Sequence, residues 1–320
     1  MFTRRDGLKL TGAALASGAA FGLGGCENKN GGMHIWEGEA LGAPATMKLY
    51  GHDEAGAHKL FAGAVLAIEQ LEKIFSLYDP SSEISRLNRD GKLENASPEM
   101  IEVLKSARRI SEQTGGAFDI TVQPLWELQT FLMRAKVTQE GQRQLWAEAY
   151  AKVDYRFVRI DDRKVSFTKP GVKITLNGIA QGYISEDIAP SLNMLSTDTG
   201  LVHFGEYQAF GSKSWKISLQ DPHNVLDVID MVSLKNAGLA TSSSKGGFFG
   251  PERSHIFTAS ETLMPPKFIS ATVIHTSAMI ADGLATAFTL MDEDHIRSAA
   301  QMLDVQKVVL VKDNGEIIRF

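Results

Sequence analysis

The sequence predicts an α+β protein in which mixed β-sheets are flanked by helices. Three observations point there. Apolar residues recur at helical spacing in a few long segments, and short runs rich in β-branched and aromatic residues read as strands. Several of these runs follow one another without a regular βαβ rhythm, which favours α+β over a doubly wound sheet. At 320 residues, 43% hydrophobic and 22% charged, the chain can bury one substantial core or two smaller lobes.

The N-terminus is read as a targeting segment rather than a folded element. "MFTRRDGLKLTGAALASGAAFGLGGC" sets Arg4 and Arg5 ahead of a weakly hydrophobic run of Leu, Ala and Gly, the layout of a bacterial export signal. "TRRDGLK" resembles the twin-arginine pattern, with Gly7 where a large apolar residue is preferred. Cys26 is the chain's single cysteine, so no intramolecular disulfide forms. "LGGC" resembles a lipobox, which implies that residues 1–26 are a signal peptide and that Cys26 is lipidated. The expected location is the periplasmic side of a bacterial membrane, reached through that lipid anchor. Residues 27–35, "ENKNGGMHI", are polar and Gly-rich and are assigned to a tether, and residues 36–320 to the folded domain. No later apolar stretch approaches the roughly 20 residues of a membrane span. A net charge of −5 and a pI near 5.9, with no Lys/Arg run, exclude nucleic acid as an expected partner.

Within the domain, "ATMKLYG" alternates as a strand. It is followed by a helix carrying Phe61, Val65, Ile68, Leu71 and Phe75 on one face. The next helix is punctuated by Ser97 as N-cap, Pro98 at its first position and Gly115-Gly116 beyond its end. "ITV" after Asp119 is expected to be a strand, residues 124–150 mainly helical, and Asp161-Asp162 the turn of a hairpin. "GVKITL" is expected to be a strand that ends at Asn177-Gly178 and leads into a helix. Further strands are expected at "GLVHFG", "WKISLQ", "MVSLKN", "FISATVI" and "KVVLVK", with a helix pair over about 278–303. No repeat, heptad or Walker-type loop is present.

Four stretches could carry chemistry. In "TGGAFDITVQPLW", Asp119 is either a turn or capping residue or a ligand contact. "ITLNGIAQGYISED" places Gly178 and Gly182 at a helix start, where backbone N–H groups can seat a phosphate. In "MIADGLATAFTLM", Asp282 and Thr286 lie four apart and share a helix face. They are either a helix-start residue with a packed neighbour or two oxygen ligands for a hard cation such as Mg²⁺. "LATSSSKGGFFG" reads as a polar turn with Ser242, Ser243 and Ser244, and is followed by His255; no Ser/His/Asp spacing and no histidine metal motif is present.

Together, "LYDPSSEISRLN", "TGGAFDITVQPL", "LNGIAQGY", "GLATSSS", "SHI" and "ADGLATAF" resemble, in order and spacing, the ApbE-type FAD:protein FMN transferases, over about residues 36–310. The resemblance implies an ApbE-like, T-fold-like architecture and an exported, often lipid-anchored enzyme. Such an enzyme uses Mg²⁺ to split FAD and moves FMN to a Thr or Ser hydroxyl of a target protein, with release of AMP. It implies FAD contacts from Tyr78, Ala117, Phe118, Asp119, Thr175, Gln181 and Ile256. It also implies Mg²⁺ held by Gly178, Asp282 and Thr286, and a base at His255 or Asp282. The expected partner is an acceptor flavoprotein subunit of an electron-transport complex. This chain carries no good copy of the target motif, an aspartate upstream of a Ser/Thr-Gly-Ala-Thr run, so self-modification is not expected.

The chain departs from that pattern at four places. Thr175 stands for an aspartate, Gln181 for a lysine or acidic residue, and Gly205-Glu206 for a paired glycine, while "HIFTASETL" lacks an Asp-Pro and a Thr-Gly turn. These departures keep two alternatives open, an accessory lipoprotein that binds FAD without transferring it and an FAD pyrophosphatase.

Overall fold

The computed structural model describes residues 32–194, 198–244, 254–259 and 265–320. The signal segment with Cys26 lies outside them, as does the whole of "KGGFFGPER". No helix among the described residues is long and apolar enough to cross a membrane.

The largest element is an antiparallel sheet of eight strands. They are β1 (His34–Ala40), β2 (Ala43–Tyr50), β6 (Thr199–His203), β7 (Tyr207–Phe210), β10 (Gly238–Ser243), β11 (Ser270–His275), β12 (Lys307–Val311) and β13 (Ile317–Arg319), adjacent in that order. A second sheet joins β3 (Lys92–Leu93), β5 (Lys164–Phe167) and β4 (Val158–Asp161), and β8 (Trp215–Gln220) pairs with β9 (Val228–Leu234) as a hairpin. The helices are α1 (Glu54–Phe75), α2 (Glu83–Asp90), α3 (Pro98–Gln113), α4 (Gln123–Leu132), α5 (Gln139–Tyr150), α6 (Ala180–Leu192), α7 (Ala278–Phe288) and α8 (Glu293–Met302).

Period-two alternation divides the main sheet between two apolar clusters. Met47, Leu49, Val202, Ala240, Ala271, Val273, Val308 and Leu310 pack with the helical layer. Leu201, Ala209, Leu239, Ile274 and Val309 pack with Ile217, Leu219, Val232 and Leu234 of the β8–β9 hairpin. The α+β expectation therefore holds, with both faces of the central sheet covered.

The caps explain where the helices start. Ser97 Oγ accepts from Met100 N–H with Pro98 in the first turn, and Ser277 Oγ accepts from Ile280 N–H at the head of α7. Four local expectations are corrected. "ITV" forms a turn of 3₁₀-helix capped by Asp119. "GVKITL" runs extended outside any ladder, because Asn88 from α2 takes the place of a strand neighbour: its Oδ1 accepts from Ile174 N–H and its Nδ2 donates to Ile174 C=O. Ser242 and Ser243 end strand β10 and are not a turn. His34 and Ile35, assigned from sequence to the tether, belong to β1.

Candidate functional site

The chemistry-bearing residues are gathered where α6 crosses α7. The two helices approach closely because Gly182 carries no side chain: a Cβ there would lie 2.3 Å from Ala278 C=O. Glu186, one turn along α6, accepts from Met279 N–H at 3.1 Å and from the Ser277 hydroxyl. With the helices so fixed, Asp282 Oδ2 accepts from Gly182 N–H at 3.0 Å. One of the backbone donors that a helix start offers to a phosphate is thus already taken by a carboxylate of the chain itself.

Thr286 lies one turn beyond Asp282 on the same face of α7. Its hydroxyl is 3.0 Å from Ser242 Oγ at the end of β10. Gly178 closes the other side, since a Cβ on it would meet Thr286 Oγ1 at 2.9 Å and the Phe118 ring at 3.5 Å. Thr175 N–H donates to Ile120 C=O at 2.8 Å and so stitches the "GAFDI" segment to the "ITLNG" segment. Phe118, Thr175, Gly178, Asp282 and Thr286, up to 168 positions apart in sequence, therefore form one locus.

Sequence reasoning missed Glu206. It sits in the β6–β7 turn, buried, and its Oε2 accepts from Thr241 N–H at 3.1 Å. Gln181 of α6 lies against this turn, its side-chain carbon 2.5 Å from where a Cβ on Gly205 would stand; with φ of +97° at Gly205, the position suits glycine. The one signal in the sequence was the oddity of "FGEY", an acidic residue where the resembled pattern has a second glycine.

The electrostatics of the locus are unusual. Burial pushes the Asp282 carboxyl up to about 7, against the lowering effect of Gly182 N–H. Glu206 is raised well above the ordinary carboxylate range, first by burial and then by the charge of Asp282, with Thr241 N–H opposing. No Lys, Arg or His among the described residues pairs with either. Two buried carboxyls, two hydroxyls and no cationic side chain make an all-oxygen donor set with a deficit of positive charge. That set fits a hard divalent cation, which takes oxygen ligands. No group of three or more His, Cys, Asp or Glu arranged for a metal occurs among the described residues, so any such ion depends on this mixed set.

The other expected residues divide in two. Asp119 is 6% exposed and its oxygens are engaged by the chain: Oδ1 accepts from Thr121 N–H and Oγ1 at 2.7 and 2.6 Å, and Oδ2 from Tyr155 N–H at 2.8 Å. Burial raises its pKa in spite of these bonds. The capping role read as one of its two options is the one the geometry fills. Tyr78 is exposed and lines an open cleft of about 420 Å³ with Asn88, Gln123, Glu127 and Lys173. His255 and Ile256 fall in the described stretch 254–259, which is anchored to α4 and α5. Gln129 Nε2 donates to Ser254 C=O at 3.0 Å, and Phe257 packs with Leu125, Trp146 and Tyr150. His255 Nδ1 is buried with no partner among the described residues, and burial lowers its pKa. No hydrogen bond among the described residues joins His255 to Asp282 or Thr286.

Fold and site together define an α+β protein with a buried, oxygen-lined locus between two helices and the end of an inner strand of the main sheet. The chain belongs to the ApbE family, whose model matches residues 41–310. It is 25% identical to an FAD:protein FMN transferase of Haemophilus influenzae, over 97% of this chain and 96% of that one. It is 26% identical to the FAD:protein FMN transferase of Vibrio cholerae, over 92% of each chain. Among solved structures, an ApbE protein from Thermotoga maritima superimposes with a TM-score of 0.77 at 26% identity, covering 90% of this chain and 97% of that one. The flavin transferase ApbE from Vibrio cholerae gives 0.76 at 23% identity, over 91% and 97%, a likeness of fold.

Proposed function

We propose that this chain is an Mg²⁺-dependent FAD:protein FMN transferase, exported and held at a membrane by a lipid on Cys26. Family membership and the names of the relatives support flavin transfer. The observation that carries the metal-dependent chemistry is the meeting of Phe118, Gly178, Asp282 and Thr286 from three separate segments.

Asp282, Thr286 and Gly178 are the residues to hold the ion, which when bound would offset charge on the FAD pyrophosphate. Phe118 and the "GAF" backbone would form the wall on which the flavin nucleotide rests, and Tyr78 and Gln181 would add further contacts to FAD from the open cleft and from beside the β6–β7 turn. Asp119 serves by fixing that wall through Thr121 and Tyr155. An acceptor Thr or Ser oxygen forms a bond to the FMN phosphorus as the bond from that phosphorus to the bridging oxygen breaks, and AMP departs with that oxygen. The hydroxyl proton passes to His255, whose lowered pKa keeps it neutral and able to accept. The acceptor is a flavoprotein subunit of an electron-transport complex.

The test is incubation with FAD and an acceptor domain carrying the Asp…Ser/Thr-Gly-Ala-Thr motif, with and without Mg²⁺, followed by intact-mass measurement. A gain of one FMN that needs Mg²⁺ and is lost in Asp282→Ala is expected. FAD retained intact with no gain would instead identify an accessory flavin carrier. Free FMN and AMP with an unmodified acceptor would identify a pyrophosphatase.

A further inference from the structure

We propose that Glu206 supplies a second carboxylate to the cation site of Asp282 and Thr286, so that this chain binds a divalent ion before FAD arrives. The inference rests on the metal-dependent reading above and adds a ligand that the motif pattern does not contain.

Geometry carries it. Glu206 is 9% exposed and Asp282 3%. Each accepts one backbone N–H, from Thr241 and Gly182 respectively, and the other oxygen of each accepts no hydrogen bond from a described residue. The two supports converge on one point of the fold. Thr241 N–H holds Glu206, and the next residue, Ser242, places its hydroxyl on that of Thr286. The turn bearing Glu206 is pinned from behind. Ser185 Oγ of α6 donates to Glu206 C=O at 2.7 Å and accepts from Phe204 N–H at 3.2 Å. The carboxylate is therefore held in place by α6 and β10, the elements that also position Asp282 and Thr286.

Chemistry supplies the reason. Burying one carboxylate without a cation is costly, and burying two side by side more so, unless a positive charge sits between them. No basic side chain among the described residues does so. A single carboxylate with a hydroxyl leaves half of the charge of a divalent ion for the pyrophosphate to meet, whereas two carboxylates balance it within the protein. The consequence is an ion bound by the free protein rather than carried in with the nucleotide.

The experiment titrates the full-length chain, without FAD, with Mn²⁺ by electron paramagnetic resonance, and with Mg²⁺ as competitor, alongside thermal melts in chelator and in metal. Glu206→Gln keeps the shape and an acceptor for Thr241. It is expected to weaken Mn²⁺ binding at least tenfold and to shrink the metal-induced rise in Tm, while the Tm in chelator stays level or rises because Asp282 loses a like-charged neighbour. Glu206→Asp, which restores the charge, is expected to regain part of the affinity. Wild-type affinity in Glu206→Gln overturns the inference and leaves the transferase reading intact. A wild-type chain that binds neither ion and transfers FMN in chelator overturns the metal reading itself, and this inference with it.

Discussion

Two glycines four residues apart separate function from folding at the scale of a single atom. At Gly178 an added methyl would meet the Thr286 hydroxyl, 2.9 Å away, and that hydroxyl can rotate aside at the cost of its bond to Ser242. At Gly182 it would meet backbone C=O of Ala278 at 2.3 Å and the Asp282 Cβ at 2.8 Å, and neither can yield without the helices parting. Gly178→Ala is therefore expected to cost less than about 1 kcal/mol of stability yet abolish metal-dependent transfer by turning Thr286 out of place. Gly182→Ala is expected to cost on the order of 3 kcal/mol by overpacking. Urea unfolding of both variants, beside the acceptor-mass assay, checks the contrast. Asp119 belongs on the folding side of this divide. Asp119→Ala strands the donors of Thr121 and Tyr155 in a buried turn, for an expected loss of about 2–3 kcal/mol in the same unfolding experiment.

Among the elements, those that announce themselves by local chemistry were legible in the sequence. Helices α1, α3 and α7 follow their apolar spacing and caps, and the hairpin of β4 and β5 turns at Asp162 with φ of 48°. What was not legible depends on partners far along the chain. "GVKITL" has the composition of a strand, but its nearest hydrogen-bonding neighbour is the side chain of Asn88, 86 residues earlier. Strand β10 ends in serines and looks like a turn; its pairing with β7 at one end and with β11 along its length, through registers such as Thr241 with Thr272, makes it a strand. Asp282 and Thr286 were readable because four residues is one helical turn, whereas Glu206 was not, because its role depends on a turn folding back under α6. Asn88 accordingly has an outsized effect for a polar residue on a short helix. Asn88→Ala removes both bonds to Ile174 and frees the segment that carries Thr175 and Gly178. The expected result is a loss of about 1–3 kcal/mol with faster amide hydrogen exchange confined to residues 172–178, read by exchange mass spectrometry.

For the whole molecule, the two-sided sheet puts the site and a pH-sensitive group in separate apolar clusters. His203 ends β6 and its ring stacks on Tyr207 at 4.0 Å, near the hairpin side of the sheet, where Tyr207 packs on the cluster of Leu201 and Ile217. Burial lowers its pKa to about 4, with the charge of Lys48 acting in the same direction and a backbone hydrogen bond involving Gly205 opposing. The sign of the linkage follows. The unfolded chain binds a proton at this histidine near pH 6.5, and the folded chain does not until about pH 4. Between those values the unfolded state holds more protons, so stability is fully present above pH 6.5 and is lost as the pH falls through that window. The loss reaches up to about 3 kcal/mol by pH 4. The raised carboxyls of Asp282 and Glu206 act in the opposite sense over the same range, so the total curve cannot assign the effect to either. The difference between wild type and His203→Gln can, because both carry the same carboxyls. The wild type is expected to lose the extra stability on acidification from pH 7 to 4.5 and the variant to lose none of it. Parallel curves for the two proteins, measured by denaturant unfolding at each pH, would show that His203 titrates in the fold as it does in the open chain.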